Sequence, residues 1–256
     1  MSIGLRAGLL VAAACAMAVA SGCVSTGRPT KKEDAAAYNV QLGFAYMERG
    51  NLSVAKEKLD RALEQQPNSA AVHSALGLLH ERLNEPAKAD EFYRTAARLA
   101  PENPDFINNY AVYLCKQGRT EEGVRRFLEA ASNRMYRTPE VAYTNAGVCQ
   151  RAAKRDDEAL ANFRRALDIR PNFAEAAYQI GQLDFEKGRF PEARTQIDGY
   201  LSSFDATPDL LLLGVRVAHA QGDRLAQERY ARRLRVDFPD SQQVRALSDL
   251  NRNNPG

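Results

Sequence analysis

A small residue recurs through this chain at intervals of 33 to 36 residues, and this period limits the possible folds more than any other feature of the sequence. Self-similarity at a period of about 20 to 50 residues is typical of solenoids, propellers and other repeat arrays. The period here predicts a helical repeat array. The recurring residues are Gly43, Gly77, Ala111, Gly147, Gly181 and Gly214.

The sequence around each small residue resembles the tetratricopeptide (TPR) consensus, in which two antiparallel helices occupy about 34 residues. The spacing has a physical reason, because small residues at repeat positions 8, 20 and 27 let neighbouring helices approach closely while larger apolar residues fill between them. We therefore expect an all-α protein, a right-handed superhelical array of six TPR helix pairs. The six predicted units are 36–69, 70–103, 104–137, 140–173, 174–206 and 207–240.

A final segment, 241–256, is expected to form a capping helix and a frayed tail. Val244, Leu247 and Leu250 recur there at helical spacing and could cover the exposed face of the last unit.

The first 22 residues have the pattern of an export signal. Arg6 is their only charge, and the run 7–19 contains no charged residue. The small residues at 20–22 lead directly into Cys23, which resembles a bacterial lipobox, although Ala20 stands where leucine is usual. We expect a lipoprotein signal peptide at 1–22, lipid on Cys23 and a flexible tether at 23–35. An ordinary signal or a retained anchor is the alternative.

The resemblance to Gram-negative lipoproteins also bears on location. In such lipoproteins an Asp directly after the lipidated cysteine favours retention in the inner membrane. Val24 stands at that position here, so we expect an outer-membrane lipoprotein that faces the periplasm.

Composition and motifs argue against several function classes. The formal net charge is +3, and it falls to +2 when Arg6 is lost, which is too little for a nucleic-acid-binding face. The basic run 229–235 is interpreted as a solvated helix face. We find no phosphate-binding glycine loop, no metal motif and no nucleophile and base pair. We therefore expect no enzyme activity, cofactor, metal or small-molecule substrate.

Two histidines could be taken for metal ligands. His73 and His80 lie seven residues apart on one helix face. They occupy repeat positions 4 and 11, however, where TPR units usually carry aromatic residues, so we interpret them as core residues.

Cys115 and Cys149 form an even pair once Cys15 is lost with the signal and Cys23 carries lipid. They stand at positions 12 and 10 of the first helices of units three and four, which should lie side by side. Because an exported chain meets an oxidising compartment, we predict a disulfide between them. Two small buried thiols are the alternative.

A hydrophobic groove is predicted at the start of the array. Val40, Phe44 and Met47 occupy positions 5, 9 and 12 of unit one, outside the packing consensus, and Leu78 occupies position 9 of unit two. In TPR arrays such positions line the groove that holds peptides, and an uncovered apolar patch usually indicates a partner. Alternatively, the tether or a neighbouring helix covers these residues.

Two sequence stretches in units three and four point to a particular family of TPR proteins. The stretches 108–118 (NNYAVYLCKQG) and 143–149 (YTNAGVC), together with the paired cysteines, the six units and the lipobox, resemble the PilF/PilW family of type IV pilus pilotins. This resemblance implies an outer-membrane lipoprotein that binds the pilus secretin and promotes its localisation and multimerisation, supporting twitching motility. The alternative is a TPR scaffold lipoprotein for outer-membrane protein assembly or for peptidoglycan enzymes.

Overall fold

The computed structural model describes residues 31–252, which form thirteen α-helices and no strand. Twelve of them are antiparallel neighbours in six successive pairs, so the predicted array is confirmed. The first helices of the pairs are α1 (Lys31–Glu48), α3 (Ala70–Arg82), α5 (Pro104–Lys116), α7 (Pro139–Ala152), α9 (Ala174–Glu186) and α11 (Pro208–Ala220). The second helices are α2 (Leu52–Gln65), α4 (Pro86–Leu99), α6 (Thr120–Ser132), α8 (Asp156–Ile169), α10 (Phe190–Ser203) and α12 (Arg224–Asp237).

Each pair turns tightly between its two helices. In unit three the turn residue is Gly118, whose φ of 74° lies in the left-handed region that glycine adopts without steric cost. The helices that follow such turns begin with a side-chain cap in two units, the first and the sixth. Asn51 accepts a hydrogen bond from the Val54 amide, and Asp223 accepts one from the Ala226 amide.

Close approach within the pairs depends on the recurring small residues. A Cβ atom on Gly77 would lie 2.8 Å from the ring of Tyr93, which is repeat position 24 of the same unit. Gly214 and Tyr230 stand in the same relationship in unit six. A larger residue at position 8 would therefore push the two helices of a unit apart, which explains the period seen in the sequence.

The array begins earlier than the sequence indicates. The predicted tether ran to residue 35, but α1 already begins at Lys31, so this boundary is wrong by five residues. Glu33 and Asp34 lie in the first turn, where negative charge complements the helix dipole, and the alanines that follow have high helix propensity. Residues 23–30 lie outside the described residues.

The last helix, α13 (Gln242–Arg252), packs against α11 and α12. Leu247 is buried in the C-terminal core cluster and Val244 packs against that cluster, as expected of a cap. The Leu250 side chain and the tail 253–256 lie outside the described part of the chain. Among the described residues, no helix is both long enough and apolar enough to cross a membrane.

Candidate functional site

The first helices lie side by side, and repeat position 12 links each one to the next across most of the array. The link is an ion pair at two junctions, a disulfide at one and a cation–π contact at another, but its direction is constant. A residue near the end of one first helix reaches the first helix of the following unit. The links are Glu81 to Lys116 (2.7 Å), Cys115 to Cys149, Arg151 to Glu186 (2.8 Å) and Phe185 to Arg216, whose guanidinium lies 4.6 Å from the ring centroid.

The link between units three and four is covalent. Cys115 and Cys149 are joined by a disulfide, with their Cα atoms 5.6 Å apart, inside the range that a disulfide requires. Cys149 is buried, 5% exposed. This is the pairing expected from repeat positions 12 and 10, and its formation in the cell stays a prediction.

A hollow of about 180 Å³ lies across α1, α3 and α5, and we call it the first-helix groove. Three apolar side chains line it, one from each of these helices: Phe44, Leu78 and Val112. Phe44 is 40% exposed, which is unusual for a phenylalanine, and Leu78 and Val112 are half-buried. The remaining lining residues are Ser74, Glu81, Tyr93, Asn109 and Lys116.

The polar groups of the first-helix groove are already paired with one another. Glu81 accepts a hydrogen bond from the Tyr93 hydroxyl (3.0 Å) on one carboxylate oxygen and forms an ion pair with Lys116 (2.7 Å) through the other. Burial, and then the nearby Glu81 carboxylate, raise the pKa of the Tyr93 hydroxyl far above its usual value of 10. Because these groups satisfy each other, the arrangement favours binding of an apolar side chain over proton transfer.

The structure brings together only some of the residues predicted for the groove. Phe44 and Leu78 both line it. Val40 is half-buried, packs against the N-terminal core cluster and is not among the residues that line the groove.

Met47 was wrongly assigned to the groove. It is 2% exposed and belongs to the N-terminal core cluster with Leu59 and Leu76. The physical reason is its repeat position, because position 12 points toward the next first helix, as Cys115 does in unit three. Arg82 of α3 donates a hydrogen bond to the Met47 carbonyl (2.6 Å) at the same junction.

Sequence reasoning missed two apolar residues on this face. Val112 lines the first-helix groove, and Val148 of α7 is 42% exposed beside a neighbouring hollow. Both stand at repeat position 9, like Phe44 and Leu78, so the period alone could have identified them. In unit five the same position is Gln182, which is hydrogen-bonded to Glu186 (2.6 Å), so the apolar line extends over units one to four.

His80 takes the core role that was predicted for both histidines, whereas His73 is only partly buried. His80 is buried, stacks on the Phe92 ring at 5.1 Å and is hydrogen-bonded to Glu85. His73 contacts the same ring at 5.7 Å, and its Nε2 lies 2.8 Å from the Pro67 carbonyl. No group of three or more metal-binding side chains occurs within residues 31–252.

Comparison with known proteins agrees with this architecture. Tetratricopeptide-repeat patterns match residues 40–104 and 111–174, and a second pattern of the same class matches 150–213. The chain is 32% identical over 227 residues to the type IV pilus assembly protein PilF of Pseudomonas aeruginosa, which covers 86% of this chain and 90% of that protein. The chain belongs to the PilF family of TPR proteins.

Solved structures of this family superpose over most of the array. The structure of Pseudomonas aeruginosa PilF matches with a TM-score of 0.64 at 30% identity, over 86% of this chain and 99% of PilF. PilW, described as a widely conserved type IV pilus biogenesis factor, matches with a TM-score of 0.63 at 26% identity, over 83% of this chain and 97% of PilW. The present chain is thus a TPR protein homologous to type IV pilus biogenesis factors.

Proposed function

We propose that this protein is a pilotin, a lipid-anchored adaptor that binds the type IV pilus secretin and promotes its assembly in the outer membrane. Membership of the PilF family supports a role in pilus biogenesis. The observation that carries the binding role is the first-helix groove, which Phe44, 40% exposed, lines together with the apolar side chains of Leu78 and Val112. An exposed aromatic residue in a hollow lined by paired charges is suited to anchor a protein segment.

The bound segment should present an apolar stripe. The apolar line at position 9 crosses four first helices, from Phe44 to Val148, so an amphipathic helix or extended strand of the secretin could contact several of them in series. The internal pairing of Glu81 with Lys116 leaves the groove without a strong net charge. Affinity would then come chiefly from burial of apolar side chains.

The proposed anchor is Cys23, which lies outside the described residues. Several acyl chains on one cysteine would hold the protein firmly at a membrane, and Val24 favours the outer one. Cys23→Ser should leave the protein unlipidated and periplasmic. Unchanged membrane fractionation of this variant would contradict the anchor without contradicting the secretin-binding role.

A deletion strain tests the function as a whole. We expect loss of twitching motility and of secretin multimers, with normal levels of outer-membrane barrels and normal cell-wall composition. Normal secretin assembly together with defective barrels or cell wall would instead assign the protein to another envelope machine. We propose no catalytic role, and hydrolase assays on the purified protein check this directly.

A further inference from the structure

The outward face of α12 carries two of the three most exposed large apolar side chains in the described part of the chain. Leu225 is 87% exposed and Val236 is 71% exposed. The opposite face of the same helix is buried in the C-terminal core through Tyr230 and Leu234. The exposed aliphatic residues therefore do not belong to the packing of unit six.

Two arginines complete a single line along this face. Leu225, Arg229, Arg232 and Val236 follow one another at spacings of four, three and four residues, which places them on one side of an α-helix. Eleven residues separate the two aliphatic ends, or about 16 Å along the axis. We call this line, with the exposed arginines beside it, the α12 outer face; the flanking residues are Arg224, Arg233 and Arg235.

The charge of α12 differs from that of the other second helices. Its five arginines against Glu228 and Asp237 give a net charge of +3, whereas the other five second helices carry between −2 and +1. Three of the arginines make exposed ion pairs of 3.2 to 3.6 Å, a kind of contact that contributes little and leaves the charge available. Arg224 and Arg232 make no ion pair with any residue in 31–252.

We propose that the α12 outer face binds the surface of an anionic phospholipid bilayer. Guanidinium groups form paired hydrogen bonds with phosphate, and aliphatic side chains enter the boundary between headgroups and acyl chains. Because the aliphatic and basic residues lie along one exposed side of a single helix, they can all contact a flat surface such as a membrane at the same time. This contact does not depend on the groove or on secretin binding.

Vesicle co-sedimentation tests the proposal. The chain from Val24 onward lacks any lipid, and it includes the array that superposes on 99% of the solved PilF structure. We expect it to bind vesicles of phosphatidylglycerol and phosphatidylethanolamine, to bind phosphatidylcholine vesicles far more weakly, and to be released by high salt. Equal binding to both kinds of vesicle, or binding to neither, would overturn the proposal.

Charge reversal locates the contact. Arg224→Glu with Arg232→Glu breaks no ion pair within the described residues and should lower the partition coefficient about 25-fold or more, since each basic residue near an anionic surface contributes about fivefold. Arg164→Glu with Arg165→Glu changes the net charge equally on α8 and is the matched control. Equal losses in both variants would show a non-specific charge effect and overturn the assignment to α12.

The aliphatic residues distinguish a membrane from other occupants. Leu225→Ser with Val236→Ser keeps every arginine and should still weaken vesicle binding, while circular dichroism and the unfolding midpoint stay unchanged because both side chains are exposed. Sedimentation velocity tests whether a second copy of the chain binds this face instead. If the substitutions abolished a dimer and left vesicle binding intact, the face would be a dimer interface and the proposal would fail.

Discussion

A Cβ atom on Gly123 would overlap the Sγ atom of Cys115. In the other units, repeat position 20 is alanine; those residues are Ala55, Ala89, Ala159, Ala193 and Ala226. Unit three carries glycine because the disulfide sulfur occupies the space that an alanine methyl group would fill. The departure from the repeat pattern in α6 is thus explained by the cross-link to α7.

Substitution of Gly123 tests the contact with the Cys115 sulfur. Gly123→Ala should destabilise the oxidised protein by about 1 to 3 kcal/mol, because an added methyl group in a packed site forces its neighbours to move. In a background in which Cys115 and Cys149 are both alanine, the same substitution should cost much less. Denaturant unfolding of the four proteins gives the coupling energy, and purely additive effects would contradict the contact.

The disulfide itself should contribute to stability. Its cysteines are 34 residues apart in sequence, and closing such a loop stabilises by about 3 to 4 kcal/mol in the chain-entropy model. Replacing both cysteines with alanine should lower the free energy of unfolding by about that amount. Thiol labelling of the exported protein under denaturing conditions should find neither cysteine reactive; labelling of both would show that the bond does not form.

Two exposed glycines should respond in opposite directions to the same substitution. Gly118 has a φ of 74° and Gly199 lies inside α10, and an added Cβ would meet nothing within 4 Å at either site. Gly118→Ala should therefore destabilise by about 1 to 2 kcal/mol through backbone strain alone. Gly199→Ala should stabilise by about 0.5 to 1 kcal/mol through helix propensity. Thermal unfolding measures both, and shifts of the same sign would contradict these backbone conformations.

Acid should remove one helix cap. The Ala226 amide, and then Arg194, lower the pKa of Asp223 below its usual value of 3.8. A lowered folded-state pKa means that the contribution is present above the unfolded-state pKa and is lost as pH falls through the folded value. Asp223→Asn should thus lower the melting temperature at neutral pH, and the difference from the unmodified protein should shrink below about pH 4. A difference independent of pH would contradict this role of the carboxylate.

Repeat spacing predicted the helix pairs and the Cys115–Cys149 pairing, because each depends on residues at fixed positions in the TPR unit. It did not predict the burial of Met47, because helical spacing alone puts Met47 on the same face as Val40 and Phe44. Which part of that face contacts α3 depends on how successive units pack. The structure shows this packing through the contacts that position 12 makes with the next first helix.

The sequence also did not predict the binding surface proposed on α12. The sequence marks the basic run 229–235 but assigns it to solvent, since basic residues on a helix surface are common. The exposure of Leu225 and Val236 on the same line depends on how α12 rotates against α11 and α13. That rotation is set by tertiary packing and cannot be read from the period.

Binding of the purified secretin to a Phe44→Ala variant tests the central claim most directly. Removing an aromatic anchor should weaken binding by about 2 kcal/mol, or about 30-fold in Kd by titration calorimetry, with the unfolding midpoint nearly unchanged because Phe44 is 40% exposed. Tyr38→Ala removes a more exposed aromatic from another side of α1 and should bind normally. Unchanged affinity of the Phe44→Ala variant, or equal losses in both variants, would contradict the first-helix groove as the secretin-binding site.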